Sequence, residues 1–574
     1  MLLPRRFFAP SFLLTLCLLS LAPSLQAGTA AIAMPDRYAA AASREVLEDG
    51  GNAVDAAITA AFVLAVTFPE AGNIGGGGFM VAQVDGKSAF LDFREKAPLA
   101  ASRNMYLDAN GEVVHRRSLV GGKAIGVPGT VRGMQKAHQR YARLPWRRLL
   151  APAIRLAEEG FVVHPSLAAM KDSAIEHFGS DTNFADYFAG MEAGATFKQP
   201  ELAATLRRIA TDPGDFYRGQ IARQIVAQMA RSGGIITPRD LAEYTAPWRK
   251  PLLASWRGHE VVAAPPPSSG GIALMQLLGM HDAASELFNG VDHNAATYIH
   301  LLAELEKRAF ADRAEYLGDP DFAPVPVAAL MDQAYLRRRA EGINAEAISE
   351  NVMPGLGEQD KPAATSPYES AQTTHFSILD GEGNAVALTY TQNWEFGSGV
   401  VVEGAGFLLN NQMNDFSAKP GVPNAFGVVG RDMNAIGPGK RMLSSMSPTV
   451  LLRDGKVVTV VGTPGGSTIF TSVLQVLLNV LDFGMTAEDA VSATRFHHQL
   501  PAARLIRHDP GRDIAPEVAT RLANMGYRLE PNSWGPLGDV MLITVDPGGR
   551  VDAAADPRGR GAAQVFNLVV KAAP

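Results

Sequence analysis

The run Gln372-Thr373-Thr374-His375-Phe376-Ser377 places a hydroxyl where cutting one peptide bond would create a new amino terminus in mid-chain. A threonine hydroxyl at its free pKa is a weak nucleophile and needs a neighbouring group to take its proton. A free α-amine, with an ordinary pKa near ~8, is partly neutral at neutral pH and can accept that proton. The same nitrogen held in an amide cannot. If the bond between Gln372 and Thr373 is cut, Thr373 supplies both nucleophile and base, and activity waits for processing.

The residues after this bond supply a scaffold. Phe376 to Thr391 reads as two β-strands joined at Asp380-Gly381-Glu382-Gly383-Asn384, a hairpin signal. Taken alone, Thr-Thr-His is a strand entering a turn. The hairpin carries the functional reading rather than competing with it, because it can bring Thr391 back beside Thr373.

The segment resembles the start of the small subunit of γ-glutamyltranspeptidases, members of the N-terminal nucleophile hydrolases. The likeness runs through Gly51-Asn52-Ala53-Val54-Asp55-Ala56-Ala57, Gly72-Asn73-Ile74-Gly75-Gly76-Gly77-Gly78-Phe79, Asp92-Phe93-Arg94-Glu95, Pro265-Pro266-Pro267-Ser268-Ser269-Gly270-Gly271 and Glu315-Tyr316-Leu317-Gly318-Asp319-Pro320. It continues in Asn410-Asn411-Gln412-Met413-Asn414-Asp415-Phe416, Leu443-Ser444-Ser445-Met446-Ser447-Pro448 and Gly462-Thr463-Pro464-Gly465-Gly466-Ser467. The resemblance implies a four-layer αββα sandwich and autocatalytic cleavage, in which the Thr373 hydroxyl attacks the Gln372 carbonyl. The products would be a large subunit, 28–372, and a small catalytic subunit, 373–574, interleaved in one core as a heterodimer. The implied activity is γ-glutamyl transfer, from glutathione or a similar donor to water or to amino-acid and peptide acceptors, without a cofactor.

A γ-glutamyl donor presents an α-carboxylate, an α-ammonium and a γ-amide carbonyl, so its site needs a cation, an anion and an oxyanion hole. Arg94 can grip a carboxylate in a bidentate pair that lysine cannot reproduce. An arginine after a strand is ordinarily a surface ion pair; the resemblance gives Arg94 the α-carboxylate, together with Ser444 and Ser445. Asp415 would take the ammonium, with Asn393 and Gln412 as neutral acceptors, although such residues more often cap loops and turns. Gly465 and Gly466 can bring backbone N–H groups close to a developing oxyanion, ahead of a helix whose N-terminus adds a favourable field. By resemblance, Thr391 orients Thr373.

Some positions depart from the family pattern. Trp394 and Glu395 stand beside the expected ammonium site where small polar residues are familiar, which leaves acceptor preference open. Pro420 to Gly439 resembles a lid loop, and Phe426 lies where a tyrosine is familiar, implying apolar shielding without a hydroxyl bond and looser gating. His497 and His498 have no companion cluster of ligand spacing, so they read as structural rather than metal-binding. Two other readings stay in view. One is a cephalosporin or glutaryl acylase of the same fold, disfavoured by Asp415 because a glutaryl group has no α-amine. The other is a secreted non-catalytic binding homologue, disfavoured by Thr373, Thr391 and the paired glycines together.

The chain of 574 residues is 47% hydrophobic and 19% charged, a globular composition with ample material for a core. A net charge of -6 argues against a nucleic-acid surface and for a small-molecule substrate. Arg5 and Arg6, the apolar run from Phe12 to Ala22 and the stretch ending at Ala27 read as a signal peptide, 1–27. Export to a bacterial periplasm or beyond follows, with no membrane anchor after its removal. The one cysteine, Cys17, falls inside that leader, so the remainder has no disulfide. Helical spacing marks Ala40–Thr67 with a break at Gly50-Gly51-Asn52, then Trp146–Glu159, Gln199–Thr211, Gly219–Ser232, Ala295–Leu317, Ser467–Val480 and Thr486–Thr494. Hairpins are expected over Phe79–Phe93 and Ser447–Gly462, and 342–372 shows no period. Mixed α/β structure follows from this pattern.

Overall fold

The computed structural model describes residues 26–357, 373–424 and 427–570. The leader up to residue 25, Gln372 and Phe426 therefore lie outside the described residues.

Two antiparallel sheets are stacked face to face. The first contains β1 (Gln26–Met34), β2 (Gly77–Val84), β3 (Lys87–Asp92), β4 (Trp248–Arg249), β7 (Thr374–Leu379), β8 (Ala385–Thr391) and β13 (Ala562–Val570), in the order β13-β1-β7-β8-β2-β3-β4. The second contains β5 (Leu252–Trp256), β6 (His259–Ala263), β9 (Thr449–Arg453), β10 (Lys456–Gly462), β11 (Met541–Val545) and β12 (Val551–Ala555), in the order β12-β11-β10-β9-β6-β5. Strand β1 pairs from Gln26, and from Gly28 onward it lies opposite Leu568 to Ala562 of β13.

Alternation along the strands builds the layers, because successive side chains point to opposite faces. Phe79 and Val81 of β2 face inward with Phe90, meeting Val262, Val450, Val460 and Ile543 of the second sheet. Their neighbours Met80 and Ala82 face outward, with Leu388 and Phe376, onto α2 (Ala53–Thr67). On the far side, Leu451, Val461 and Leu542 pack against α5 (Gly270–Ala283), α6 (Ala296–Tyr316) and α7 (Ile469–Leu481). The result is the αββα sandwich, with both faces of both sheets covered.

The helices begin where their caps dictate. Helix α1 (Arg37–Glu48) starts after Asp36, whose carboxylate accepts from Ala39 N at 2.7 Å. Helix α2 starts after Asn52, in a reciprocal capping box with Asp55, and every one of its residues is buried. This is the role of the Gly51–Ala57 run: the break ends one helix and the cap starts the next. Expected helices over Trp146–Glu159 and the Pro200–Thr211 stretch are present. The expected helix from Ser467 differs at its start. It opens as a 3₁₀ turn, Gly466–Thr468, and becomes α-helical only at Ile469. Gly465 and Gly466, at φ of 138° and 55°, hold a conformation no α-helix can include.

Among the described residues no helix is long and apolar enough to cross a membrane. His497 and His498 are buried, the first beside Thr471 Oγ1 at 2.9 Å and Gln499 Oε1 at 3.0 Å, the second beside the Leu505 carbonyl at 2.8 Å.

His375 is also fully buried between the sheets, with Nδ1 2.7 Å from Thr389 Oγ1 and Nε2 3.1 Å from Ser377 Oγ. Gly462 of β10 lies against its ring, and a Cβ there would sit 2.4 Å from His375 Cε1. Burial pushes the His375 pKa down from 6.5 to about 3, so the ring stays neutral and is no base for Thr373. Between those two values the unfolded chain binds a proton that the folded one refuses, and stability falls as pH drops through that window. His375→Asn should therefore lessen the acid dependence of unfolding free energy by about one proton, about 1.4 kcal/mol per pH unit. Urea unfolding at a series of pH values reads this slope, and an unchanged slope would place the proton elsewhere.

Candidate active site

Thr373 stands one residue before β7, and β8 returns antiparallel with Tyr390 opposite Thr374. The hairpin thus closes Thr391 onto Thr373, with their hydroxyl oxygens 3.3 Å apart. The Asn393 backbone N–H donates to Thr391 Oγ1 at 2.7 Å, which fixes that hydroxyl from behind. Asn393 adopts φ of 84° at this turn, and its side chain donates to the Asn411 carbonyl at 3.1 Å. The glycine run of 75–78 makes the approach possible: a Cβ at Gly76 would lie 2.1 Å from the Thr391 carbonyl oxygen. Asn410 ties the same region to the rest of the chain by donating to the Gly75 and Gly126 carbonyls at 2.8 and 2.9 Å.

Arg94 follows the end of β3 by two residues and has no exposed surface. Its guanidinium donates to the Met442 and Leu443 carbonyls, both at 3.4 Å, and to the Asp415 carboxylate. Nη1 lies 3.6 Å from the Glu95 carboxylate and makes no hydrogen bond there. Gln412 and Asp415 share a 3₁₀ turn, so Gln412 Nε2 donates to Asp415 Oδ2 at 2.8 Å. Gln412 Oε1 is buried and accepts from no partner, an arrangement that suits an incoming N–H donor. Burial pushes the Asp415 carboxyl above its ordinary range, opposed by the Arg94 charge. Glu95 is pushed up to about 8 by burial, so at neutral pH it is largely protonated and leaves the Arg94 charge available.

Ser444 and Ser445 lie on the loop before β9. Ser444 Oγ accepts from Met446 N at 3.2 Å, and Ser445 Oγ accepts from Arg313 Nη2 at 3.1 Å. Gly466 opens the turn ahead of α7, whose first N–H groups have no partner within the helix.

All these groups meet in one cleft of about 530 Å³. Thr373, Thr391, Asn393, Gly466, Arg94, Gln412, Asp415, Ser444 and Ser445 line it, and Gly465 is the chain neighbour of Gly466 behind it. Asn424, Val428 and Val429, from the expected lid region, line it too. Sequence reasoning missed Arg313 and gave Glu95 no role. No spacing singles out Arg313, because α6 also buries Glu304, Glu306, Lys307, Arg308 and Asp312 among its apolar residues.

Two touching threonine hydroxyls, a buried cation–anion pair and a glycine turn share one cleft of an αββα sandwich, the fold of the N-terminal nucleophile hydrolases. A family model described as gamma-glutamyltranspeptidase matches residues 39–566, and the chain belongs to that family. It is 57% identical to a glutathione hydrolase proenzyme of Pseudomonas aeruginosa, over 94% of each chain. A γ-glutamyltranspeptidase of Pseudomonas nitroreducens, solved in complex with L-DON, is 55% identical at a TM-score of 0.56, covering 56% of this chain and 97% of its own. A cephalosporin acylase of Bacillus halodurans superposes with a TM-score of 0.80 at 27% identity, over 98% of this chain and 99% of its own.

Because the Thr391 hydroxyl touches Thr373 directly, Thr391→Val should lower kcat by about tenfold, the order of one hydrogen bond, with little change in donor KM. Steady-state kinetics on matured protein checks this, and an unchanged kcat would leave Thr391 a packing residue only.

Proposed function

We propose that the protein is a γ-glutamyltransferase and glutathione hydrolase that matures by cutting itself before Thr373. The carrying observation is that the Thr373–Thr391 pair and the Arg94–Asp415–Gln412 group face one another across a single cleft. The first can do acyl transfer, and the second fits the two charged ends of an amino acid.

Arg94 and Asp415 form an ion pair within the cleft. A γ-glutamyl donor brings one charge for each. Its α-carboxylate takes Arg94 and the hydroxyls of Ser444 and Ser445, and its α-ammonium takes Asp415, with Gln412 Oε1 and Asn393 as further acceptors. Held at that end, the donor extends its γ-carbonyl toward Thr373. Thr373 Oγ attacks, the Thr373 α-amine takes the proton and passes it to the leaving amine, and a γ-glutamyl ester forms. Backbone N–H groups at Gly465 and Gly466 stabilise the oxyanion. Water, or the amine of an amino acid or peptide, then resolves the ester by the reverse steps.

In maturation the Thr373 hydroxyl attacks the Gln372 carbonyl to give an ester that water cleaves, leaving subunits 28–372 and 373–574 as a heterodimer. Removal of the leader, 1–27, delivers the protein to the periplasm or medium. An acylase reading has the fold of the Bacillus halodurans enzyme behind it, but Asp415 facing Arg94 favours a donor with an α-amine.

Intact mass and amino-terminal sequencing after incubation at neutral pH should give two chains, one starting at Thr373. Thr373→Ala should remain one chain without γ-glutamyl transfer, and a two-chain Thr373→Ala protein would end the self-processing claim. Arg94→Lys should raise donor KM by about tenfold or more, since a bidentate charge-assisted pair is lost. Unaltered kinetics would remove Arg94 from the site.

A further inference from the structure

The Pro265–Gly271 motif has no part in the chemistry above, and it meets Arg313 behind the serine loop. Ser268 Oγ, from the Pro265–Gly271 run, donates to the Met446 carbonyl at 2.7 Å and accepts from Gly270 N at 3.0 Å. Ser269 gives both its backbone N–H and its hydroxyl to the Ser444 carbonyl, each at 2.7 Å. Ser444 N donates in return to the Pro267 carbonyl at 2.9 Å. Arg313, in the last turn of α6 just before the Glu315–Pro320 run, reaches into this junction almost completely buried, at 7% exposure. Its Nε donates to Ser269 Oγ at 2.9 Å and its Nη2 to Ser445 Oγ at 3.1 Å.

A hydroxyl has one hydrogen and two acceptor lone pairs. A guanidinium can only donate, so its bond to Ser445 Oγ occupies one of the two lone pairs and turns the hydroxyl hydrogen away from the cation. Ser444 Oγ is held the same way by the Met446 N–H. Both serines line the cleft, as Arg313 does, and each has its hydroxyl hydrogen to offer to what enters it. Such a surface welcomes an anion and resists an ammonium. The Arg313 charge adds to this, and with Arg94 it opposes the burial that raises the Asp415 pKa.

We infer that Arg313 is a positioning residue that biases Ser445 toward donating its hydroxyl hydrogen, so that this side of the cleft selects donors bearing an α-carboxylate. The inference rests on the reading that the donor carboxylate lies on Arg94, Ser444 and Ser445. Arg313 acts through Ser445 and through the Ser269 hydroxyl that anchors its other nitrogen.

The test compares kcat/KM for a chromogenic γ-glutamyl anilide with that for its uncharged α-carboxamide counterpart, using matured enzyme. Arg313→Gln should raise KM for the carboxylate donor by about tenfold with kcat little changed, the order expected for one charge-supported hydrogen bond. The ratio of the two substrates should fall by a similar factor, and Arg313→Lys should restore part of it. Equal slowing of both donors, or an unchanged ratio, would overturn the inference, since loss of mere structural support does not distinguish the substrates. Should Arg313→Gln fail to mature, Ser269→Ala decides, because it frees one anchor of the guanidinium without touching α6; a ratio unmoved by Ser269→Ala also overturns it. Arg94→Lys is the control for the underlying reading. If it leaves the ratio unmoved, the carboxylate does not bind here at all; if it collapses the ratio while Arg313→Gln does not, only the role of Arg313 fails.

Discussion

A guanidinium without exposed surface is tolerable only where acceptors and counter-charge surround it, and Arg94 is such a group. Its partners come from separate parts of the chain. Asp415 arrives on the turn after residue 411, and the Met442 and Leu443 carbonyls on the loop before β9. Displacing any of these segments would leave a buried charge uncompensated, at a cost of several kcal/mol. The cation therefore holds the cleft in its working shape before any substrate arrives.

The same arrangement bears on selectivity. Arg94 and Asp415 already satisfy each other, so only a ligand offering both an anion and a cation can replace their mutual contact without leaving one of them bare. A glutaryl group would match Arg94 and strand Asp415. Thr373 is placed by different means, a covalent hairpin and a glycine-lined approach. Recognition and chemistry are thus supplied by separable parts of the molecule, which accounts for a shared architecture across different acyl groups.

Much of this was legible in the sequence because it is local. The hairpin after Thr373 follows from an Asp-Gly turn between apolar runs, and helix α2 from its Asn52 cap and unbroken apolar series. The cluster 410–415 was legible through its resemblance to the family pattern, since such residues alone read as loop caps. Helix α7 starts two residues later than expected, because the chain leaves the Gly465–Gly466 bend through a 3₁₀ turn before it settles into the helix. Arg313 was not legible at all. Its contact with Ser445 spans 132 residues, and a buried arginine on a helix reveals itself only once the loop that accepts its hydrogen bonds is in place. The neutral state of Glu95 is likewise a product of burial, which no spacing encodes.

Strand order carries one more consequence. In the first sheet β1, from the amino-terminal side of Thr373, lies between β13 and β7, both from the carboxyl-terminal side, while β8 pairs with β2. In the second sheet β9 pairs with β6 in the same fashion. A nick before Thr373 consequently severs the chain without creating two bodies that could part. Separating the fragments would strip backbone hydrogen bonds from both sheets at several strand boundaries, which amounts to unfolding. Dilution has no dissociation equilibrium to act upon, and pieces from different molecules cannot trade places. The cut thus behaves as a permanent covalent record of maturation, as durable as the fold itself.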